Sequence, residues 1–425
     1  MDETEKPHPP FVVKIEATSS LNCRLHIKII AICSLPLIMV FAVYSPMPKV
    51  SSKKFFAEQS AHSRVKADIV FKYVTTWATV MLNPRFNQKG EAAYIDLFSG
   101  PGSYEDGARS TPLLIVEEVL KKQLLKDGLK TYFNDLSSAH TESLRQEIGS
   151  LPGIPNLRWT PVYTSAPASI SLIDSFGLSS EIPQFFFLDQ FGWADVSPAI
   201  IKRIFLNRKC ECAFFFRTPR VIAAVTNPNS ESTMQTLFGA ARLSSMRASF
   251  ASATCDKEAM VLNELKETMR EAGATHFQPF PFRLREDNSP KQHLIYLGQH
   301  EKGLAIMKDI MGGSSSAHHS GVPLMGFSEA PTQHLLFEPD PIPSLQADLL
   351  SAFAGRAVSV AQVFSEHHPT NERFLLRNYQ EALRRLEQSS AVSAIPPAQD
   401  RPKRTGTVTM GEMVKIIFPS GKVAQ

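Results

Sequence analysis

The segment AYIDLFSGPG, residues 93–102, constrains the fold more than any other part of the chain. Tyr94, Ile95, Leu97 and Phe98 suit a buried strand, Asp96 sits at its end, and Gly100-Pro101-Gly102 follow at once. A helical pattern opens at Ser110-Thr111-Pro112, where hydroxyls suited to capping precede a proline at the first helical position. Glycines at such a strand-to-helix turn let the backbone approach a ligand that a Cβ would obstruct. The acidic residue selects the ligand. A dinucleotide site sets pyrophosphate against this turn, and the Asp96 carboxylate would repel it. A cationic or amino-bearing ligand would be attracted. An ordinary βα turn with a capping aspartate gives the same local pattern.

The order of the following segments extends the reading. KTYFND (130–135) is strand-like and ends in Asn134-Asp135, an acid placed to hold ribose hydroxyls by charge-assisted hydrogen bonds. RWTPVYT (158–164) is a candidate third strand. PQFFFLDQFGW (183–193) reads as a fully buried fourth strand that emits Asp189-Gln190-Phe191-Gly192-Trp193 at its carboxyl end, where open α/β sheets carry their ligands. Helix 198–209 and strand ECAFFFR (211–217) complete the alternation. Strands alternating with helices at this spacing predict an α/β, Rossmann-like doubly wound sheet.

The D-x-F-x-G-x-G run from Asp96 to Gly102 resembles motif I of class I methyltransferases and implies S-adenosylmethionine (SAM). More widely, the chain resembles the TcmP family, the three-Cys-motif partner proteins. The resemblance rests on IDLFSGPGSYEDG (95–107), on Asp189 to Trp193, on HLIYLGQHEKGLAIMKDIM (293–311), and on LRNYQEALRRLEQ (376–388) with RPKRTGTVT (401–409). It spans residues 53–420 and implies a methyltransferase-type sheet followed by a winged-helix module. It also implies a three-Cys-motif, radical-SAM-like partner protein. In its terms Asp96, Phe98, Gly100 and Gly102 shape the cofactor turn and Asp135 binds ribose. Asp189 and Phe191 would hold the acceptor, as an amine acceptor and a stacking face. One position departs from the family pattern: Gln190 stands where proline usually follows the aspartate, which leaves that backbone less constrained. The plainer alternative is an aspartate capping helix 198–209 beside buried aromatics.

Composition fits a chain of two to three domains, since 425 residues stand against roughly 100–200 per domain. A formal net charge of +4 does not by itself announce nucleic acid. Five cysteines suit a reducing compartment, and no His/Cys cluster has zinc-ligand spacing, so no metal site is expected. No cysteine follows a proline, which removes the thiolate nucleophile of a cytosine-C5 methyltransferase. Ile29 to Tyr44 is uncharged and apolar but shorter than the roughly 20 residues that span a bilayer. Residues 1–46 are therefore expected to be an upstream gene-start artefact. The alternatives are a single-pass anchor on an otherwise cytoplasmic protein and a buried or disordered extension.

Downstream, residues 47–311 are expected to form the methyltransferase-like domain. An amphipathic helix over 65–82 opens it, and HFQPFPFRLR (276–285) with KQHLIYLGQH (291–300) closes it as an antiparallel hairpin. Residues 312–341, rich in Gly, Ser and Pro, read as a linker. Residues 342–420 then carry three helical patterns, 344–355, 358–367 and 371–388, a basic loop and the strand VKIIF (414–418). That order is the α+β arrangement of a winged helix. Arg373, Arg377, Arg384 and Arg385 on the third helix, with Arg401, Lys403 and Arg404 on the wing, are the candidates for contact with DNA or RNA. Two functions follow from these residues. One is a SAM-dependent methyltransferase acting on nucleic acid; the other is a non-catalytic partner module that works through its winged helix.

Overall fold

The computed structural model describes residues 61–85, 87–104, 107–189, 197–252, 254–283, 290–328 and 339–420. Residues 1–50 form one unit and 51–425 another, and all the described residues belong to the second. The N-terminal extension and Phe191 lie outside the described residues. No described helix is long and apolar enough to cross a membrane.

The first helix, α1 (Ala61–Met81), buries Ile69, Tyr73 and Trp77 along the stripe its sequence predicts. After it come β1 (Ala92–Asp96), α2 (Thr111–Lys121), β2 (Leu129–Asn134), α3 (Ser138–Gly149), β3 (Val162–Thr164), β4 (Gln184–Leu188), α4 (Pro198–Phe205), β5 (Cys210–Phe216) and α5 (Thr218–Val225). Helices Glu231–Phe238 and Ala240–Phe250 and α6 (Lys257–Glu271) lead to the hairpin β6 (His276–Arg283) and β7 (Pro290–Gly298), and α7 (Glu301–Gly313) follows. Strands β4 and β5 are buried at every position, so their near-continuous apolar runs are what a sheet covered on both faces requires.

The eight-stranded sheet has the order β10-β6-β7-β5-β4-β1-β2-β3, in which β10 is the short edge strand Phe327–Ser328. Strands β1 to β5 pair in parallel, while β7 runs antiparallel between β5 and β6. This is the methyltransferase-type order with its reversed strand. The chain winds outward from β1 to β3 and returns to β4, so β1 and β4 flank the topological switch point where such sheets hold ligands. On one face Ile95, Phe186, Phe214 and Ile295 pack against α4, α5 and α6. On the other, Tyr94, Phe185, Phe215 and Tyr296 pack against α1, α2 and α7. At roughly 1.5–3 kcal/mol for each buried aromatic or aliphatic side chain, these two layers set the strand register that aims the strand ends.

Within the stretch read as a linker, β8 (His318–His319) pairs with β9 (Val322–Pro323), and β10 (Phe327–Ser328) adds a parallel strand to the edge of β6. The C-terminal module has its own core, including Leu345, Leu349, Val363, Tyr379, Leu383 and Ile416. It contains α8 (Ile342–Ala352), β11 (Ala357–Ser359), α9 (Val360–His367), α10 (Leu376–Gln388) and β12 (Ser393–Ile395). The two-residue strands β13 (Lys403–Arg404) and β14 (Thr407–Val408) form a wing, and β15 (Lys415–Ile417) lies between β11 and β12.

Candidate functional site

At the switch point, Asp96 ends β1 and Asp189 follows β4 directly. Asp96 is buried; it accepts hydrogen bonds from the Phe98 amide at 3.1 Å and the Tyr94 hydroxyl at 3.0 Å. Burial lifts its carboxyl to about 7, and the two hydrogen bonds oppose that rise, with Asp189 and Asp135 adding to it. The same cleft is lined by Phe98, Gly100, Gly102, Ser110, Asp189 and Lys66. Lys66 comes from α1 and is itself buried; its Nζ lies 2.5 Å from Asp189 and 4.6 Å from the centroid of the Phe215 ring. The acid foreseen at the end of the fourth strand is thus held by a cation that sequence reasoning missed. Its signal was there: a lysine seven residues before Tyr73, on the buried stripe of an amphipathic helix.

Asp135 lies just beyond β2. It accepts from the Gly100 amide at 3.0 Å and the Ser137 amide at 2.8 Å, and stands 3.2 Å from His140 Nδ1. It therefore braces the glycine turn from the neighbouring strand while an ionised carboxylate keeps further acceptor capacity. Asn134 completes the brace. Its amide donates to the carbonyls of Leu97 and Ala166 and accepts from Thr164 and Ala166, tying three strand ends together. Gly100 has φ +67° and Gly102 φ +103°, left-handed values that a side chain rarely adopts. A Cβ at Gly102 would also meet the Glu147 carboxylate at 3.2 Å and Leu144 at 3.3 Å. Close packing of α3, as well as approach to a ligand, thus explains that glycine. Glu147 in turn accepts from the Ser103 amide at 3.1 Å and from its hydroxyl.

The donor set suits SAM. The carboxylates favour a ligand with cationic groups, and the turn backbone is already held in place. The cleft also has an orphan polar atom: the Ser110 hydroxyl is buried without a hydrogen-bond partner, although Ser110 is the N-cap of α2 and such serines ordinarily bond the helix's first amides.

The arginines of the C-terminal module are largely engaged. Arg377 pairs with Asp309 of α7 at 3.2 Å, Arg384 with Glu381, and Arg385 with both Glu381 at 2.7 Å and Asp340 at 2.6 Å. Arg373 is half-buried just before α10. Arg401 is buried, pairing with Glu387 of α10 and touching the Met410 sulfur, so it anchors the root of the wing. Lys403 and Arg404 are exposed on the first strand of the wing, immediately before a turn with left-handed Thr405 and Gly406. The amino end of α10, the end that enters a groove in helix-turn-helix readers, packs against the sheet domain. Asn378 donates to the Gly321 carbonyl at 3.0 Å, and Leu375 lies over Gly312.

Residues 327–399 match the family model of the GMT-like winged helix-turn-helix domain. No curated protein sequence matches the chain. Among solved structures, the chain is similar to the DszA carbon methyltransferase (14% identity, TM-score 0.35, 58% of this chain and 57% of that one). It is also similar to the METTL16 methyltransferase domain (12%, 0.30, 53% and 66%) and to the methyltransferase domain of bacterial CtHen1 (11%, 0.29, 54% and 99%). The match thus spans just over half the length of the first of these. The chain combines a methyltransferase-type α/β sheet with a C-terminal winged helix-turn-helix domain.

Proposed function

We propose that the protein is a SAM-dependent methyltransferase whose acceptor is a nucleic acid. The observation that carries the reading is the gathering of Asp96, Asp135 and Asp189 from the ends of three parallel strands around one glycine turn at the switch point. Asp96, with the Gly100–Gly102 backbone, would hold the cationic amino-acid end of the cofactor, Phe98 would cover it, and Asp135 would take ribose hydroxyls. The cofactor supplies an electrophilic methyl group. The residues contribute alignment and exclusion of water, because an in-line displacement gains most from orientation. In this reading Asp189 would accept a hydrogen bond from an acceptor amine and Phe191 would stack on the acceptor base.

The exposed wing cations, Lys403 and Arg404, support contact with a phosphate backbone. The resemblance to the three-Cys-motif partner family adds a radical-SAM-like companion protein to the reading. A second reading, a non-catalytic partner module, is favoured by the ion pair that engages Asp189 and by the docking of the amino end of α10. Calorimetric titration of SAM into the full chain separates the two. Saturable binding that is lost in Asp96→Ala supports the transferase; a folded protein that takes up no SAM sinks it.

A further inference from the structure

Lys66 and Ser110 set themselves apart from the other residues that line the cleft. The other charged side chains described in its lining, Asp96 and Asp189, are acidic, and they suit the cationic groups of SAM. SAM also carries an α-carboxylate, which an acidic cleft would repel. Lys66 is the one cation among the described lining residues, and the Ser110 hydroxyl is a buried donor without a partner. Ser110 also opens α2, an eleven-residue helix whose first turn favours an anion. An ammonium, an idle hydroxyl and a helix amino end, all lining one cleft, are the kinds of group that receive a carboxylate. In the structure the Lys66 ammonium is taken by a different carboxylate, that of Asp189.

Resting on the SAM reading, we propose that Lys66 is an exchange residue: the α-carboxylate of the incoming cofactor, received also by Ser110, replaces Asp189 on the Lys66 ammonium. Cofactor loading then releases Asp189 to face the acceptor. Before loading, Asp189 is masked. The exchange conserves charge, since one carboxylate leaves the ammonium as another arrives, so the buried cation is never left unpaired. It also orders the two substrates, cofactor first. Lys66 in this scheme is a cofactor-binding and positioning residue, and no proton or bond is transferred through it.

The test compares SAM with decarboxylated SAM, which keeps the sulfonium and the amine but lacks the carboxylate, by calorimetry on the full chain. The readout is the ratio of the two affinities. In the wild type SAM binds more tightly, by about tenfold or more, the size of a charge-assisted contact. Lys66→Met brings the ratio to about one, chiefly by weakening SAM. Asp189→Asn removes the competing carboxylate and raises the ratio above the wild-type value. A ratio that Asp189→Asn leaves unchanged overturns the exchange even if Lys66→Met fails to fold. So does a well-folded Lys66→Met that keeps the wild-type ratio. Absence of binding of either compound to the wild type overturns the cofactor reading itself, whereas binding of both with variant-insensitive ratios overturns only the exchange.

Discussion

Lys308 of α7 extends its Nζ to within 3.0 Å of the Asn371 carbonyl oxygen, joining the sheet domain to the turn that precedes α10. The same ammonium donates to the His368 carbonyl at 3.1 Å and approaches the Asn371 side-chain oxygen at 3.3 Å. Gln278 of β6 adds a bond to the Glu372 carbonyl at 3.2 Å. The winged helix is therefore fixed to the sheet through backbone carbonyls of its own helix-turn-helix. A module held in this way presents its wing outward and keeps the amino end of α10 against its neighbour.

Burial lowers the Lys308 amine from its ordinary 10.5 to about 7, against an opposing pull from Glu372. Between those two values the unfolded chain binds more protons than the folded one, so this lysine makes stability rise with pH from about 7 to about 10. Lys308→Met should remove that rise. It should also cost about 1–3 kcal/mol at neutral pH by leaving buried carbonyls unpaired. Urea denaturation at pH 7 and pH 9 checks both; an unchanged pH dependence would show that Lys308 is charged and solvated in the folded protein.

Asp96 has the opposite sign. Its folded value, about 7, exceeds the ordinary 3.8, so the folded state holds the proton more tightly. Its contribution is fully present below about pH 4 and is lost as pH rises through 7. Glu211 titrates in the same window for the same reason, burial. Asp96→Asn should therefore flatten the fall in melting temperature between pH 4 and 7 in part, and Asp96→Asn with Glu211→Gln should flatten it further. If SAM binds beside an ionised Asp96, its affinity should fall by up to about tenfold per pH unit below 7, and Asp96→Asn should abolish that dependence.

Of the candidate third strand 158–164 only Val162–Thr164 pairs, without a buried position. The other parallel strands and the closing hairpin were legible in the sequence as apolar or alternating runs with a polar residue near the carboxyl end. The acids at the ends of β1, β2 and β4 were legible for the same reason. What the sequence hid was pairing. Lys66, Glu211 and Lys308 each interrupt an apolar pattern, which marks a buried charge without naming its partner across the fold. The third helix of the winged module starts at Leu376, five residues later than its pattern suggested. The Asn371 side chain accepts from the amides of Arg373 at 3.2 Å and Phe374 at 2.8 Å, and that local turn competes with the helix. Strand β10 is only two residues long and carries no periodicity to read.

Glu211, set between buried Cys210 and Cys212 on β5, accepts a hydrogen bond from the Tyr73 hydroxyl and lies beside that of Tyr296. A Cβ on Gly303 of α7 would come within 2.5 Å of both the Glu211 carboxylate and the Tyr296 hydroxyl. That glycine lets α7 close over the cluster. Glu211→Ala should cost about 1–3 kcal/mol for each hydroxyl left unsatisfied, and Glu211→Gln, which keeps an acceptor, less. Gly303→Ala should destabilise by about 1–3 kcal/mol despite alanine's better helix propensity, because the site cannot expand. Guanidinium denaturation ranks the three; a Gly303→Ala protein as stable as wild type would mean the cluster relaxes freely.

The wing offers the cleanest separation between ways of holding nucleic acid. Lys403 and Arg404 are exposed, whereas Arg377, Arg384 and Arg385 are each bound to a carboxylate of the protein and Arg401 is buried. Under the proposed function, Lys403→Ala with Arg404→Ala should weaken binding to a short duplex of any sequence. It should reduce the slope of log affinity against log salt by about 1.8, the value for two phosphate contacts at about 0.9 each. Arg377→Ala should leave that slope unchanged and instead loosen the Asp309 contact. Fluorescence anisotropy across a salt series measures both. The reverse result, a slope that depends on Arg377 and ignores the wing, would mean that α10 undocks from the sheet domain to read the groove, and the fixed arrangement pinned by Lys308 would have to open when nucleic acid binds.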